Sequence, residues 1–74
     1  MPSNRLSLFR QKLSAVFSGR LVDEDAIPLS TILEYVNDGL EAQHMFSTEE
    51  AATCAEVMTD ANQIMLHDGI VYKI

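Results

Sequence analysis

The run Ile64-Met65-Leu66-His67-Asp68-Gly69-Ile70-Val71-Tyr72-Lys73-Ile74 decides how the rest of the chain must be arranged. Two short stretches of aliphatic, β-branched and aromatic residues flank Asp-Gly, a dipeptide suited to a two-residue type I′ turn. Gly69 supplies the left-handed backbone at the second turn position, and Asp68 tolerates it at the first. Alternation along the run assigns Ile64, Leu66, Ile70, Tyr72 and Ile74 to one face, with Met65, His67, Val71 and Lys73 on the other. A lone hairpin is marginal in water. This one is expected to lie against helices.

Working upstream, Ser47 stands three residues before Glu50, the spacing of a capping box in which each side chain reaches the other's backbone N–H. Phe46 before the cap and Ala51 inside the first turn fit a hydrophobic staple. The spacing predicts a third helix over about 48–62, with Ala51, Cys54, Ala55, Met58 and Ala61 inward. Leu29, Ile32, Leu33 and Val36 recur at helical steps and define a second helix over about 29–37, entered through Pro28 and closed by Asn37-Asp38-Gly39. Ala26-Ile27-Pro28 is long enough for a short edge strand at most. Leu6, Phe9, Leu13, Val16 and Phe17 mark a first helix over about 4–17, capped by Ser3 or Asn4 and stopped by Gly19, with Leu8, Lys12 and Ala15 on its other side. Leu40–Met45 is a linker or an irregular helical turn. The order helix, short strand, helix, helix, hairpin is that of an α+β winged helix occupying residues 1–74 as a single domain.

The expected core is Leu6, Phe9, Leu13, Val16, Phe17, Ile27, Leu29, Ile32, Leu33, Val36, Ala51, Ala55, Met58, Ile64, Leu66, Ile70 and Tyr72. With 47% hydrophobic and 22% charged residues in 74 positions, the composition is that of a small globular domain. No apolar run has the length of about 20 residues that spans a bilayer. A single cysteine, Cys54, excludes an internal disulfide.

Charge is distributed unevenly. The net charge is −6, yet four of the five basic residues (Arg5, Arg10, Lys12, Arg20) fall in the first twenty positions, which hold no acid. All eleven acids follow from Asp23 onward, accompanied only by Lys73. Such polarity concerns partners and leaves the fold undetermined.

Chemistry finds little support. Asp23-Glu24-Asp25 lacks the alternating ligands, glycine turn and distal Glu of a calcium loop. His44 and His67 have no Cys or His at zinc-ligand spacing. No Gly-rich loop followed by Lys and Ser or Thr is present, and no Ser or Cys stands in a recognisable nucleophile setting. No catalytic, cofactor or metal site is expected.

The closing stretch Asp60–Ile74, with Arg5-Leu6 and Phe9 in the first helix and Phe46-Ser47 ahead of the third, resembles the extreme C-terminus of the minichromosome maintenance proteins, the related subunits of the eukaryotic replicative helicase. The similarity is greatest to the third-subunit branch, whose tail also carries Asn-Gln, a hydrophobe and Met, then Gly-Ile and an aromatic before a final Ile. It is strong over the last fifteen residues, fair in the first helix and poor across Arg20–Gln43. The resemblance implies a nuclear protein, a C-terminal piece of a longer chain whose ATPase motifs lie elsewhere, and association with the other subunits through that parent. It further implies a non-catalytic handle that recruits the helicase to the origin recognition complex and its loader ATPase during replication licensing, and that stimulates ATP hydrolysis by the loader.

A winged helix commonly offers its third helix to the major groove. Here that helix carries Glu49, Glu50, Glu56 and Asp60 with no Lys or Arg, and phosphate neutralisation dominates DNA affinity. Weak or no DNA binding is expected through this element. A runner-up reading gives Arg5, Arg10 and Lys12 of the first helix a role as phosphate contacts, or as contacts to an acidic protein. The leading reading is protein docking, through the carboxylates of the third helix and through a hairpin face made of Met65, Val71 and the stem of Lys73.

Overall fold

The structure, a computed structural model, describes residues 3–19 and 21–73. The Ser3 side chain, Arg20 and Ile74 lie outside the described residues, so the capping role expected of Ser3 and the inward placement expected of Ile74 are not among the features that follow.

Three helices pack on one side of a small sheet. Helix α1 spans Ser3–Ser18, strand β1 Ala26–Pro28, helix α2 Leu29–Asn37, helix α3 Thr48–Asp60, strand β2 Ile64–His67 and strand β3 Ile70–Lys73. A single 3₁₀ turn, Ala42–His44, interrupts the linker between α2 and α3. The sheet is antiparallel in the order β1-β3-β2, with β3 central. The three-residue β1 is thus an edge strand, as its length and Pro28 require.

Each boundary has a local cause. The Ser47 hydroxyl accepts the Glu50 N–H at 3.1 Å, opening α3. That helix ends two residues before the expected Asn62. Asn62 takes φ of +60°, and the Gln63 and Asn62 N–H groups donate back to the Met58 and Thr59 carbonyls at 2.9 and 3.0 Å. This is a Schellman closure with asparagine in the left-handed position, and it leaves Ala61 exposed where an inward position was expected. After α2, Asp38 is extended, Gly39 takes φ of +85°, and the Leu40 N–H returns to the Asn37 carbonyl at 3.0 Å, a type II turn. Asp68 and Gly69 both have positive φ, +52° and +72°, as a type I′ hairpin needs. The carbonyl of Gly69 also accepts the first N–H of α2, from Leu29, at 2.8 Å. The hairpin turn is thereby tied to α2.

The buried set is continuous through the three helices and the three strands and includes Phe9, Leu13, Ile32, Val36, Cys54 and Val71, each at most 1% exposed. Leu6, Leu33 and Leu66, expected in the core, are only half-buried against it, and Leu8, expected on the far face of α1, packs there too. Phe46 is buried and sets its ring edge-on to Phe9 at 5.4 Å. Its backbone is clamped by one side chain: the Asn37 amide donates to the Phe46 carbonyl at 3.0 Å and its oxygen accepts the Phe46 N–H at 2.7 Å.

The hairpin faces require a correction. Val71, expected outward, is fully buried, whereas Ile70 and Tyr72, expected in the core, are half-buried. The cause is the turn itself. His67 pairs with Ile70 across two turn residues, so Leu66 faces Val71, Met65 faces Tyr72 and Ile64 faces Lys73. Directly opposed residues share a face. An even-numbered residue on β2 therefore shares its face with odd-numbered residues on β3. The inner rows are Leu66–Val71–Ile27 and Ile64–Lys73, and the outer rows are Met65–Tyr72–Ala26 and His67–Ile70–Pro28.

Candidate protein-docking surfaces

The inward residues of α3 (Ala51, Cys54, Ala55 and Met58) are all buried. At about 100° per residue in a helix of 3.6 residues per turn, Glu49, Thr53, Glu56 and Asp60 fall together on the side opposite them. All four are exposed. They form a stripe along the helix about 16 Å long, from the rise of about 1.5 Å per residue, with three carboxylates and no cation. Glu50 lies off this stripe, toward α1.

There it meets Arg5. The Arg5 guanidinium donates to both Glu50 oxygens, from Nε at 2.8 Å and Nη2 at 2.7 Å, a fork-to-fork pair. Its Nη1 donates to the His44 carbonyl at 2.8 Å and its Nη2 to the Met45 carbonyl at 3.4 Å. The same group lies 4.0 Å from the centre of the Phe46 ring. One side chain of α1 thus fastens the linker before α3 and the first turn of α3 together. The hydrogen bond from Arg5 holds the Glu50 carboxyl below its ordinary pKa, and the same bond raises the guanidinium's; partial desolvation opposes each shift. The second half of the capping box is accordingly absent: the Glu50 carboxylate is bound by Arg5 instead of the Ser47 N–H.

Both ends of this pair leave the expected recognition set. Glu50 is not part of the outward acidic face, and Arg5 is turned onto its own domain. Arg10 donates from Nε to the Gln63 side chain at 2.9 Å, and Lys12 donates to the Asp38 carbonyl at the end of α2 at 3.3 Å. The three described cations of the first helix thus each bond within the domain, Arg5 through its whole guanidinium and Arg10 through Nε alone.

Among the other expected docking residues, Met65 is exposed on the outer sheet face, beside half-buried Tyr72. Val71 is removed from that surface by its burial. Lys73 shares the inner face with Ile64 and emerges at the open end of the sheet. His67 and Asp68 approach at 3.5 Å on the wing tip, both largely exposed, too solvated for a strong pair. The Cys54 thiol is buried, which raises its pKa, with the nearby Glu50 charge acting in the same direction. It is a poor nucleophile at neutral pH. Among the described residues no three His, Cys, Asp or Glu side chains are grouped so as to hold a metal ion. No helix among them is long and apolar enough to cross a membrane.

A family model described as "MCM3-like, winged helix domain" matches residues 1–74. The chain belongs to this winged-helix family. It is also 32% identical over 74 residues to the protein named DNA replication licensing factor mcm3 of Schizosaccharomyces pombe, covering 100% of the chain and 8% of that relative. No solved structure gives a significant match. In this winged helix the element that the fold would offer to DNA is α3, and its outward stripe is anionic. What sequence reasoning missed was the double use of Arg5 and Glu50. Their spacing of 45 residues gives no local signal.

Proposed function

We propose that this domain is a non-catalytic docking module of a replication licensing factor. It recruits a helicase subunit, with the companion subunits of its assembly, to the origin recognition complex and the loader ATPase in the nucleus. It also stimulates ATP hydrolysis by that loader. The observation that supports the reading best is the Glu49–Glu56–Asp60 stripe, solvent-facing and free of cations along the whole of α3. Duplex DNA carries about one negative charge per 1.7 Å of axis, so this helix repels the groove that a winged helix ordinarily enters. A basic protein surface is its complementary partner, and such charges steer association. The exposed Met65 beside Tyr72 supplies an apolar contact at the outer sheet face.

The test is capture of purified loader complex by the immobilised chain. Glu49→Lys combined with Glu56→Lys is expected to reduce affinity about tenfold or more, equivalent to about 1.4 kcal/mol or more, with a weaker dependence on salt. Binding unchanged at both low and high salt removes the stripe from the interface. The accessory nucleic-acid reading, through Arg10 and Lys12 with Arg5 occupied internally, predicts instead a duplex shift with a steep salt slope. Tight binding of that kind would overturn the docking proposal.

A further inference from the structure

Between α1 and the open end of the sheet runs a groove of about 500 Å³, within the range of about 300–1,000 Å³ typical of ligand sites. Its floor is apolar: Leu13 and Phe17 from α1, Met58 from α3 and Ile64 from β2. Val22, in the connector after α1, stands at one side with about half its surface exposed (49%). Among the described residues the rim carries two cations, Arg10 and Lys73, and none of those lining the groove is acidic. In a chain of net charge −6 with eleven acids, that local balance is inverted. The exposed acids Asp23, Glu24 and Asp25 follow Val22 directly, yet none of them lines the groove.

Arg10 and Lys73 differ in what holds them. Arg10 uses Nε on Gln63, itself a lining residue, and this bond poises the guanidinium at the groove edge. Lys73 is fixed through its backbone, whose N–H donates to the Asp25 carbonyl at 2.8 Å. Among the described residues its side chain forms no ion pair.

We propose that this groove is a second docking site, taking a short segment of a partner protein that presents apolar anchors flanked by carboxylates. The apolar floor accepts the anchors, and the two rim cations pair with the flanking acids while rejecting a basic segment. None of the stripe residues Glu49, Glu56 and Asp60 lines the groove. The domain would therefore engage a basic surface through α3 and an acidic segment through the groove, with each contact excluded from the other by charge. This site does not depend on whether the partner belongs to the replication-loading machinery.

The test begins with selection, on the immobilised chain, from a display library of random peptides of about 16 residues, roughly four helical turns. The expected consensus has two or more large apolar positions with Asp or Glu beside them. The selected peptide, made synthetically and followed by fluorescence anisotropy, should lose at least about tenfold in affinity on Arg10→Glu with Lys73→Glu, an effect of about 1.4 kcal/mol or more. It should weaken as salt rises. Ser14→Trp, which fills the groove from its rim, should abolish binding; circular dichroism checks that each variant remains folded. A neutral or basic consensus, no enrichment over an unrelated domain, or binding indifferent to both sets of changes overturns the proposal. So does concentration-dependent dimerisation that Ser14→Trp abolishes, since the occupant is then a second copy of the chain. Capture through the α3 stripe is measured with Glu49 and Glu56 variants, so either surface can fail alone.

Discussion

Replacing Val71 by alanine tests the hairpin register at its centre. Val71 is fully buried in the middle strand, between Ile27 of β1 and Leu66 of β2. The change deletes two methyl groups, each contributing about 0.8 kcal/mol of transfer free energy. If a cavity of roughly 50 Å³ remains, it adds about 1 kcal/mol at about 24 cal/mol per Å³. The expected loss is therefore about 2–3 kcal/mol. For a domain of this length each kcal/mol moves Tm by about 4–8 °C, so thermal unfolding followed by circular dichroism should drop by roughly 10–20 °C. Total stability at about 0.05–0.15 kcal/mol per residue is only about 4–11 kcal/mol, and Val71→Asp, burying a carboxylate without a partner, should leave the chain unfolded. Met65→Asp, one position along on the partner strand but outward, should change stability by less than about 0.5 kcal/mol, the usual range for a surface substitution. The reasoning is refuted if Val71→Ala melts within a degree or two of the parent, or if Met65→Asp is the more damaging of the two.

The Arg5–Glu50 fork gives a pH signature. Because Arg5 holds the Glu50 carboxyl below its unfolded value of about 4.3, the folded state prefers the ionised form. That stabilisation is complete above the unfolded pKa and disappears as pH falls through the lower, folded one. Acid titration of Tm should be steeper for the parent than for Glu50→Gln; superimposed curves would contradict the coupling. Arg5→Lys should restore only part of the stability lost in Arg5→Ala, since an ammonium cannot make the two-pronged pair and lie over Phe46 at once. Ser47→Ala, which removes the oxygen accepting the Glu50 N–H, should cost about 1 kcal/mol in urea unfolding; no change would show that the cap contributes nothing.

Much of the candidate docking surface could be read from residue order. The outward placement of Glu49, Glu56 and Asp60 follows from the positions of Ala51, Cys54, Ala55 and Met58 on the same helix, because 3.6-residue periodicity fixes both faces together. Met65 was also legible, as the residue between two inward positions of β2. Val71 was misplaced although the needed information was local: a two-residue turn pairs residues whose numbers sum to an odd value, so inward parity reverses between the strands. At Asn62 the preference for the left-handed region competes with helix propensity on nearly equal terms, so the end of α3 is not legible in the residue order. The groove had no signature of its own. Its walls come from α1, the connector, α3 and both hairpin strands, and no spacing in one dimension brings Arg10 to Gln63 or places Arg10 and Lys73 on one groove.

Residue order alone settled the order and type of the three helices, the edge strand and the hairpin, because caps, glycines and hydrophobic periods act over a few residues and their energies depend little on what lies further off. It also settled that α3 is anionic on its outer side. Only the packed molecule decided which charges remain available to a partner. Arg5 and Glu50 look equally free along the chain, yet α1 and α3 bring them into a fork that turns both inward on the domain. Arg10 and Lys73, far apart in sequence, both line the rim of one apolar groove. A charge acts on whatever lies within a few ångströms of it, and that neighbourhood exists only after folding.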